Sequence, residues 1–272
     1  MERRTKIILG ITVLLGGTVA ALPVTHDELS WKCSSSKEKT KSYYKVFLAQ
    51  AHGNKKDADA RAPSNGMYGR DIVDLLKEGK IEAEASGSGI EKLKLELKLK
   101  VKVKDKITVR IPVGTYFVCS GSAQNMVTTR EKTVVLDNDR RISIKLELEV
   151  ACANKARAIP DSEDKFNIKR SPKQKELQKL MPVLEKANAG FAIRQAAVWI
   201  ITDNANYYGL GTLIRRPGGR VIQEYECARA MQICQEAGID IKKKSIWRDR
   251  NKIIKGLPAG RLKTWLQEEA KK

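Results

Sequence analysis

The chain predicts an α+β fold with segregated classes: a small antiparallel β-sandwich followed by a helical domain, both after an N-terminal signal or anchor segment. Three observations predict it. A basic flank and a long uncharged run open the chain. Two-residue alternation dominates residues 93 to 150, and three-to-four-residue periodicity takes over from Ser171. With 42% apolar and 31% charged residues, the 272-residue chain is neither wholly disordered nor a polytopic membrane protein.

The N-terminus places Arg3, Arg4 and Lys6 before an uncharged run, with small residues at Val19-Ala20-Ala21. That is the three-part pattern of a secretory signal. The uncharged run reaches Thr25, close to the ~20 residues that span a bilayer. Residues 1–25 are therefore a cleaved signal peptide or a single membrane anchor over residues 7–25, and both place the rest of the chain outside the cytoplasm.

Residues 26–79 read as a poorly ordered lead-in, because Ser34-Ser35-Ser36-Lys37-Glu38-Lys39 and Gly53-Asn54-Lys55-Lys56-Asp57 offer little to bury. Two short ordered pieces are expected within it: Tyr43 to Ala49, and a helical turn carrying Ile72, Leu75 and Leu76 that Gly79 closes.

Residues 80–155 form the β unit. Leu93, Leu95, Leu97, Leu99, Val101 and Val103 alternate with Lys94, Glu96, Lys98, Lys100, Lys102 and Lys104, which means strand with the lysines in water. Ile107, Val109 and Ile111 resume the phase, Tyr116-Phe117-Val118 follows, and Asp137-Asn138-Asp139 marks a turn. Ile142, Ile144, Leu146, Leu148 and Val150 repeat the alternation, and Cys152 continues it. Several short strands between turns suggest the sandwich.

Residues 156–272 form the helical domain. Ser171-Pro172-Lys173-Gln174 has the form of a capping box ahead of Leu177, Leu180, Met181 and Leu184, and Pro182 should kink or split that helix. Phe191 to Thr202 is apolar enough to be a buried helix. Gln223 to Ala237, closed by Gly238, is a third; Ser245–Lys255 and Arg261–Glu269 complete the set.

The formal charge is +20, divided as +9 over residues 1–155 and +11 over 156–272. A field spread in this way attracts polyanionic surfaces without specifying one, and no pattern for sequence-specific nucleic-acid binding is present. The lysine row reads as a solvated strand face that discourages edge aggregation. Catalytic chemistry is thinly provided. The only histidines, His26 and His52, fall in the lead-in, which leaves serine and cysteine nucleophiles of the folded part without a base. Dinucleotide fingerprints, P-loops and paired-cysteine metal spacings are all missing, so no catalytic, cofactor-binding or metal residues are assigned. Asp203, Asn204 and Asn206 are oxygen ligands in type, but read as a polar turn that ends a helix.

Five cysteines, at 33, 119, 152, 227 and 234, leave at least one unpaired within the chain. Cys227 and Cys234 lie seven apart on one helical stripe, too distant to bond, and read as small core residues. Cys152 ends the last strand, where the β unit passes to the helices.

On the helical side, Arg194-Gln195-Ala196-Ala197-Val198-Trp199-Ile200-Ile201-Thr202-Asp203 resembles the Thr-Gln-x-Ala plus Trp signature of bacterial surface thioester domains, with Arg194 where that family carries Thr. Cys152 is similar to the cysteine that precedes the signature. The resemblance implies an internal thioester between Cys152 and Gln195, formed with loss of ammonia, that captures amines on a surface. The Cys152 thiolate would attack the Gln195 acyl carbon, and Trp199, one turn on, would shield the bond from water. The sequence thus predicts an exported, non-enzymatic binding or surface-interaction module whose partner is an unidentified protein or polyanionic surface. A covalent thioester adhesin and an enzyme with an unrecognised site stand as alternatives. Proximity of Cys152 to Gln195 favours the adhesin.

Overall fold

The two-residue alternation builds a closed barrel. The computed structural model describes residues 69–101, 106–137, 142–214 and 218–272. The expected signal or anchor, the piece Tyr43–Ala49, His26, His52 and Cys33 lie outside the described residues. In chain order come β1 (Arg70–Asp71), α1 (Ile72–Lys77), β2 (Ile81–Gly87), β3 (Lys92–Leu99), β4 (Ile107–Ile111) and β5 (Tyr116–Cys119). Next are β6 (Asn125–Thr128), β7 (Lys132–Leu136), β8 (Ser143–Ala153) and β9 (Lys165–Lys169). The helices are α2 (Lys175–Lys186), α3 (Phe191–Thr202), α4 (Tyr207–Leu210), α5 (Glu224–Glu236), α6 (Arg250–Gly256) and α7 (Arg261–Lys271), with 3-10 turns at Ile241–Lys243 and Ser245–Asp249.

The fold is α+β, but the expected sandwich is replaced by a six-stranded barrel of order β2-β3-β8-β6-β5-β9 and a three-stranded sheet β1-β4-β7. Leu93, Leu95, Leu97 and Leu99 point into the barrel with Phe117, Met126, Leu148, Val150 and Cys152. Closure depends on β9, which bridges β5 and β2. That strand lies at 165–169, beyond the expected end of the β unit at 155, so the β architecture runs past that boundary. At the other end, Ile72 and Leu75 of α1 are fully buried in the same core, and the ordered part starts before residue 80. The helical turn expected at Ile72, Leu75 and Leu76 is α1.

The closing seam is short: Ala85 faces Phe166 and Ser86 faces Lys165. Beyond it Gly87 donates to the Asp164 carbonyl at 3.1 Å. A Cβ on Gly87 would sit 2.1 Å from the Asp161 carbonyl oxygen, so only glycine lets the two segments meet. Closure leaves these strands with no lateral edge.

On the barrel's outer side, the lysine row does not stand alone. Lys94 lies opposite Glu147, Lys98 opposite Glu82, and Glu96 opposite Lys145. Opposite charges on facing strands pair favourably and cancel the row's local excess.

The helices cover one flank of β8. Along that strand Val150 and Cys152 face the barrel core, while Ala151 and Ala153 belong to the helical core with α2, α3 and α5. Small residues at 151 and 153 let α3 pack closely on the strand. Helix α2 starts at Lys175 and not at the expected Ser171 box: Gln174 makes no side-chain cap and donates instead to the Ile201 carbonyl at 2.7 Å. Pro182 sits inside α2 without splitting it. Helix α5 follows its expected bounds, with a capping box of Gln223 and Glu226 and Gly238 at φ +71°.

Candidate functional site

β3 and β8 run together until Lys92 faces Glu149, and the last ladder bond there is from Val150 N–H to the Glu91 carbonyl. β8 continues for three more residues, so the main-chain groups of Cys152 on that side need another partner. Gln195 of α3 supplies it. Its Oε1 accepts from Cys152 N–H at 2.9 Å, and its Nε2 donates to the Cys152 carbonyl at 2.8 Å. The carboxamide thus takes the place a peptide group of β3 would hold. Both residues are fully buried.

The structure therefore brings Cys152 and Gln195, 43 positions apart, into direct contact. The orientation is informative. The Cys152 thiol points into the barrel core and donates to the Ile90 carbonyl, with Sγ 3.7 Å from the oxygen. Burial pushes this thiol up to about 12, so at neutral pH it is protonated. That corrects the expectation of a thiolate nucleophile. Trp199 packs in the helical core with Ala151 and Ala153, whereas the sulfur belongs to the barrel core. The sulfur is therefore enclosed by the barrel interior, in a different core cluster from Trp199. The Trp199 indole N–H is buried without a hydrogen-bond partner.

Sequence reasoning missed the charged group beside this pair. Arg194 is 4% exposed, yet its guanidinium reaches Glu149 at 2.6 Å and approaches Glu91 at 4.0 Å. Glu149 also accepts from Arg130 at 2.9 Å, and Arg130 in turn donates to Asn188 at 2.6 Å. Burial raises the Glu149 carboxyl, but the hydrogen bonds and charges of Arg194 and Arg130 outweigh it and hold it below the usual carboxylate range. A signal was available: an arginine inside the apolar run Phe191–Thr202 must find carboxylates once that run is buried.

The other expected polar positions organise loops. Asp203 accepts from Lys155 N–H at 2.7 Å, Asn204 accepts from Ser245 N–H at 2.8 Å, and Asn206 caps α4. Cys119, Cys152, Cys227 and Cys234 are all free and buried. Among the described residues no helix is long and apolar enough to cross a membrane. Neither a family model, nor a curated protein, nor a solved structure matches the chain.

Proposed function

We propose that the chain is an exported, non-enzymatic surface-interaction module whose reactive element is an internal thioester between Cys152 Sγ and Gln195 Cδ, capturing amines of a partner. One observation carries the reading: the Cys152 peptide grips the Gln195 carboxamide at both ends, in a dry site. The Cys152 N–H sits on the oxygen that gains charge when sulfur adds to Cδ, the position an oxyanion donor occupies. The Cys152 carbonyl holds the amide nitrogen that must leave. In the step, the S–Cδ bond forms and the Cδ–Nε2 bond breaks. The thiol proton goes to Nε2, and ammonia departs. An amine later attacks Cδ, forms an amide and returns the thiol.

Intact mass decides it. The mature chain is expected ~17 Da light, the ammonia lost on attack by a nucleophilic thiol. Methylamine should add its own mass and expose one thiol. Cys152→Ser, which leaves the grip on Gln195 in place, should restore full mass and abolish amine uptake. A wild-type chain of full mass that ignores methylamine overturns the reading. Export rests on Arg3, Arg4, Lys6 and the uncharged run, and its check is a fusion of residues 1–30 to a secreted reporter. The reporter should leave the cytosol; retention with Met1 intact would reject the compartment.

A second reading is favoured by the same two hydrogen bonds taken alone. Gln195 is then a side-chain continuation of the β3 ladder that pins α3 to β8, and the module binds its partner without covalent chemistry. Full mass with a stable fold is its signature.

A further inference from the structure

The charged group beside the pair reaches every segment that sets its geometry. Glu149 lies on β8, three residues before Cys152. Glu91 is the neighbour of Ile90, whose carbonyl receives the Cys152 thiol. Arg194 immediately precedes Gln195 on α3. Its guanidinium hydrogen-bonds Glu149 at 2.6 Å and lies 4.0 Å from Glu91, with 5% of its side chain exposed against 35% for Glu149 and 46% for Glu91. One buried cation thus ties the strand that carries the nucleophile to the helix that carries the acyl group, and its charge also faces the segment that receives the thiol. Arg130 and Asn188 extend the tie to the turn after α2.

Such an arrangement exceeds what packing alone requires. Ala151, Ala153 and the apolar face of α3 already hold helix to strand, and an apolar residue at 194 would do so without the desolvation cost of a buried charge. What packing cannot set is the rotational and axial register of α3 to the fraction of an ångström that a reaction between two fixed side chains demands. The short charge-assisted hydrogen bond from Arg194 to Glu149 does set it, because a donor on a planar guanidinium fixes direction as well as distance; Glu91, at 4.0 Å, adds attraction only.

We infer that Arg194 is a positioning residue for the Cys152–Gln195 pair: by its hydrogen bond to Glu149 it fixes the register of α3 on β8 and so holds the Gln195 carboxamide on the Cys152 peptide. This rests on the thioester reading. Arg194 touches neither reacting atom in this role and acts through Glu149.

The test follows ammonia loss in time on the full chain refolded from denaturant, by intact mass. Wild type, Arg194→Met, Arg194→Lys and Glu149→Gln are compared at a temperature where each is folded by circular dichroism. Arg194→Met keeps the bulk and removes the charge. It should form the thioester about 100-fold more slowly, the order expected for a displacement of about 1 Å between reacting groups. Arg194→Lys, which restores the charge but lacks the planar guanidinium, should recover part of that rate. Glu149→Gln keeps an acceptor in place and covers the case in which Arg194→Met fails to fold; it too should slow the step. A folded Arg194→Met or Glu149→Gln chain that loses ammonia at the wild-type rate overturns the positioning role and leaves the thioester standing. A wild-type chain that never loses ammonia overturns the thioester itself, and the role with it.

Discussion

At the scale of single residues, Gln195 decides more of the structure than its place in an apolar helix suggests. Its two polar atoms satisfy both main-chain groups of Cys152 where β3 has turned away. Removing them strands an N–H and a C=O in a fully buried site. From the sequence alone, Gln195→Ala is expected to abolish thioester chemistry without unfolding the chain; the strand-edge contact changes that expectation. Gln195→Ala should cost about 2–6 kcal/mol, since it orphans two buried groups and each costs about 1–3 kcal/mol. The urea midpoint checks it: a loss under about 0.5 kcal/mol, the size of an ordinary surface substitution, would show that water or a shifted backbone replaces the amide. Because of this cost, Cys152→Ser and not Gln195→Ala is the variant that reports on the chemistry cleanly. Ser keeps the strand, the carboxamide grip and a donor for the Ile90 carbonyl, and removes only the sulfur.

At the scale of elements, α5 makes its own prediction. Cys227 and Cys234, seven apart, both lie at 0% exposure, and burial pushes each thiol up to about 12 from a reference of 9.0. The unfolded chain therefore releases these protons near 9 while the folded chain holds them. Between those values the folded state binds more protons, so stability present below about pH 9 declines as pH rises. Each thiol contributes a slope of about 1.4 kcal/mol per pH unit in that window. The Cys227→Ala/Cys234→Ala chain should lose stability less steeply than wild type between about pH 9 and about pH 10.5, read from urea midpoints. Parallel pH profiles would mean that the thiols ionise in place. Legibility divides at this same scale. The bounds of α3 and α5 and the inward leucines of β3 are written in local periodicity, which each element carries by itself. Barrel closure is not, because it depends on β9 finding β2 and β5 across long separations, and Lys165–Lys169 has only Phe166 and Ile168 to announce itself. The Cys152–Gln195 contact was legible as residue types. Its geometry was not, because that depends on where β3 leaves β8. The Arg194–Glu149 pair was hidden for the same reason: Arg194 demands a carboxylate, but nothing in the sequence says which.

At the scale of the molecule, the +20 charge resolves into unequal parts. The barrel lysines face glutamates across the strands, as Lys94 does Glu147 and Lys98 does Glu82. Residues 242–272, by contrast, hold 11 basic and 3 acidic side chains. Within that stretch Lys243 pairs with Asp240, Lys244 with Glu176 and Lys272 with Glu269. Of the acids, Asp249 is turned inward to accept from Tyr207 N–H at 3.0 Å. Arg248, Lys252 and Lys255 recur four and three apart along the helical run 245–256, and all are exposed. Lys252 reaches the hydroxyl of Tyr208 at 3.0 Å, and that ring is 60% exposed. Attraction to a polyanion should therefore depend on this stretch and not on the longer lysine row of the barrel. Retention on immobilised heparin should fall more for Arg248→Gln/Lys252→Gln/Lys255→Gln than for Lys94→Gln/Lys98→Gln/Lys100→Gln, although each set removes three cations. The whole-chain interaction should be weak and vanish near physiological ionic strength, where charges are screened beyond ~8 Å. Equal losses from the two sets would show that only net charge matters. Binding that survives several times that salt would require short-range contacts beyond the screened field, with Tyr208 and Lys252 the first place to look for them.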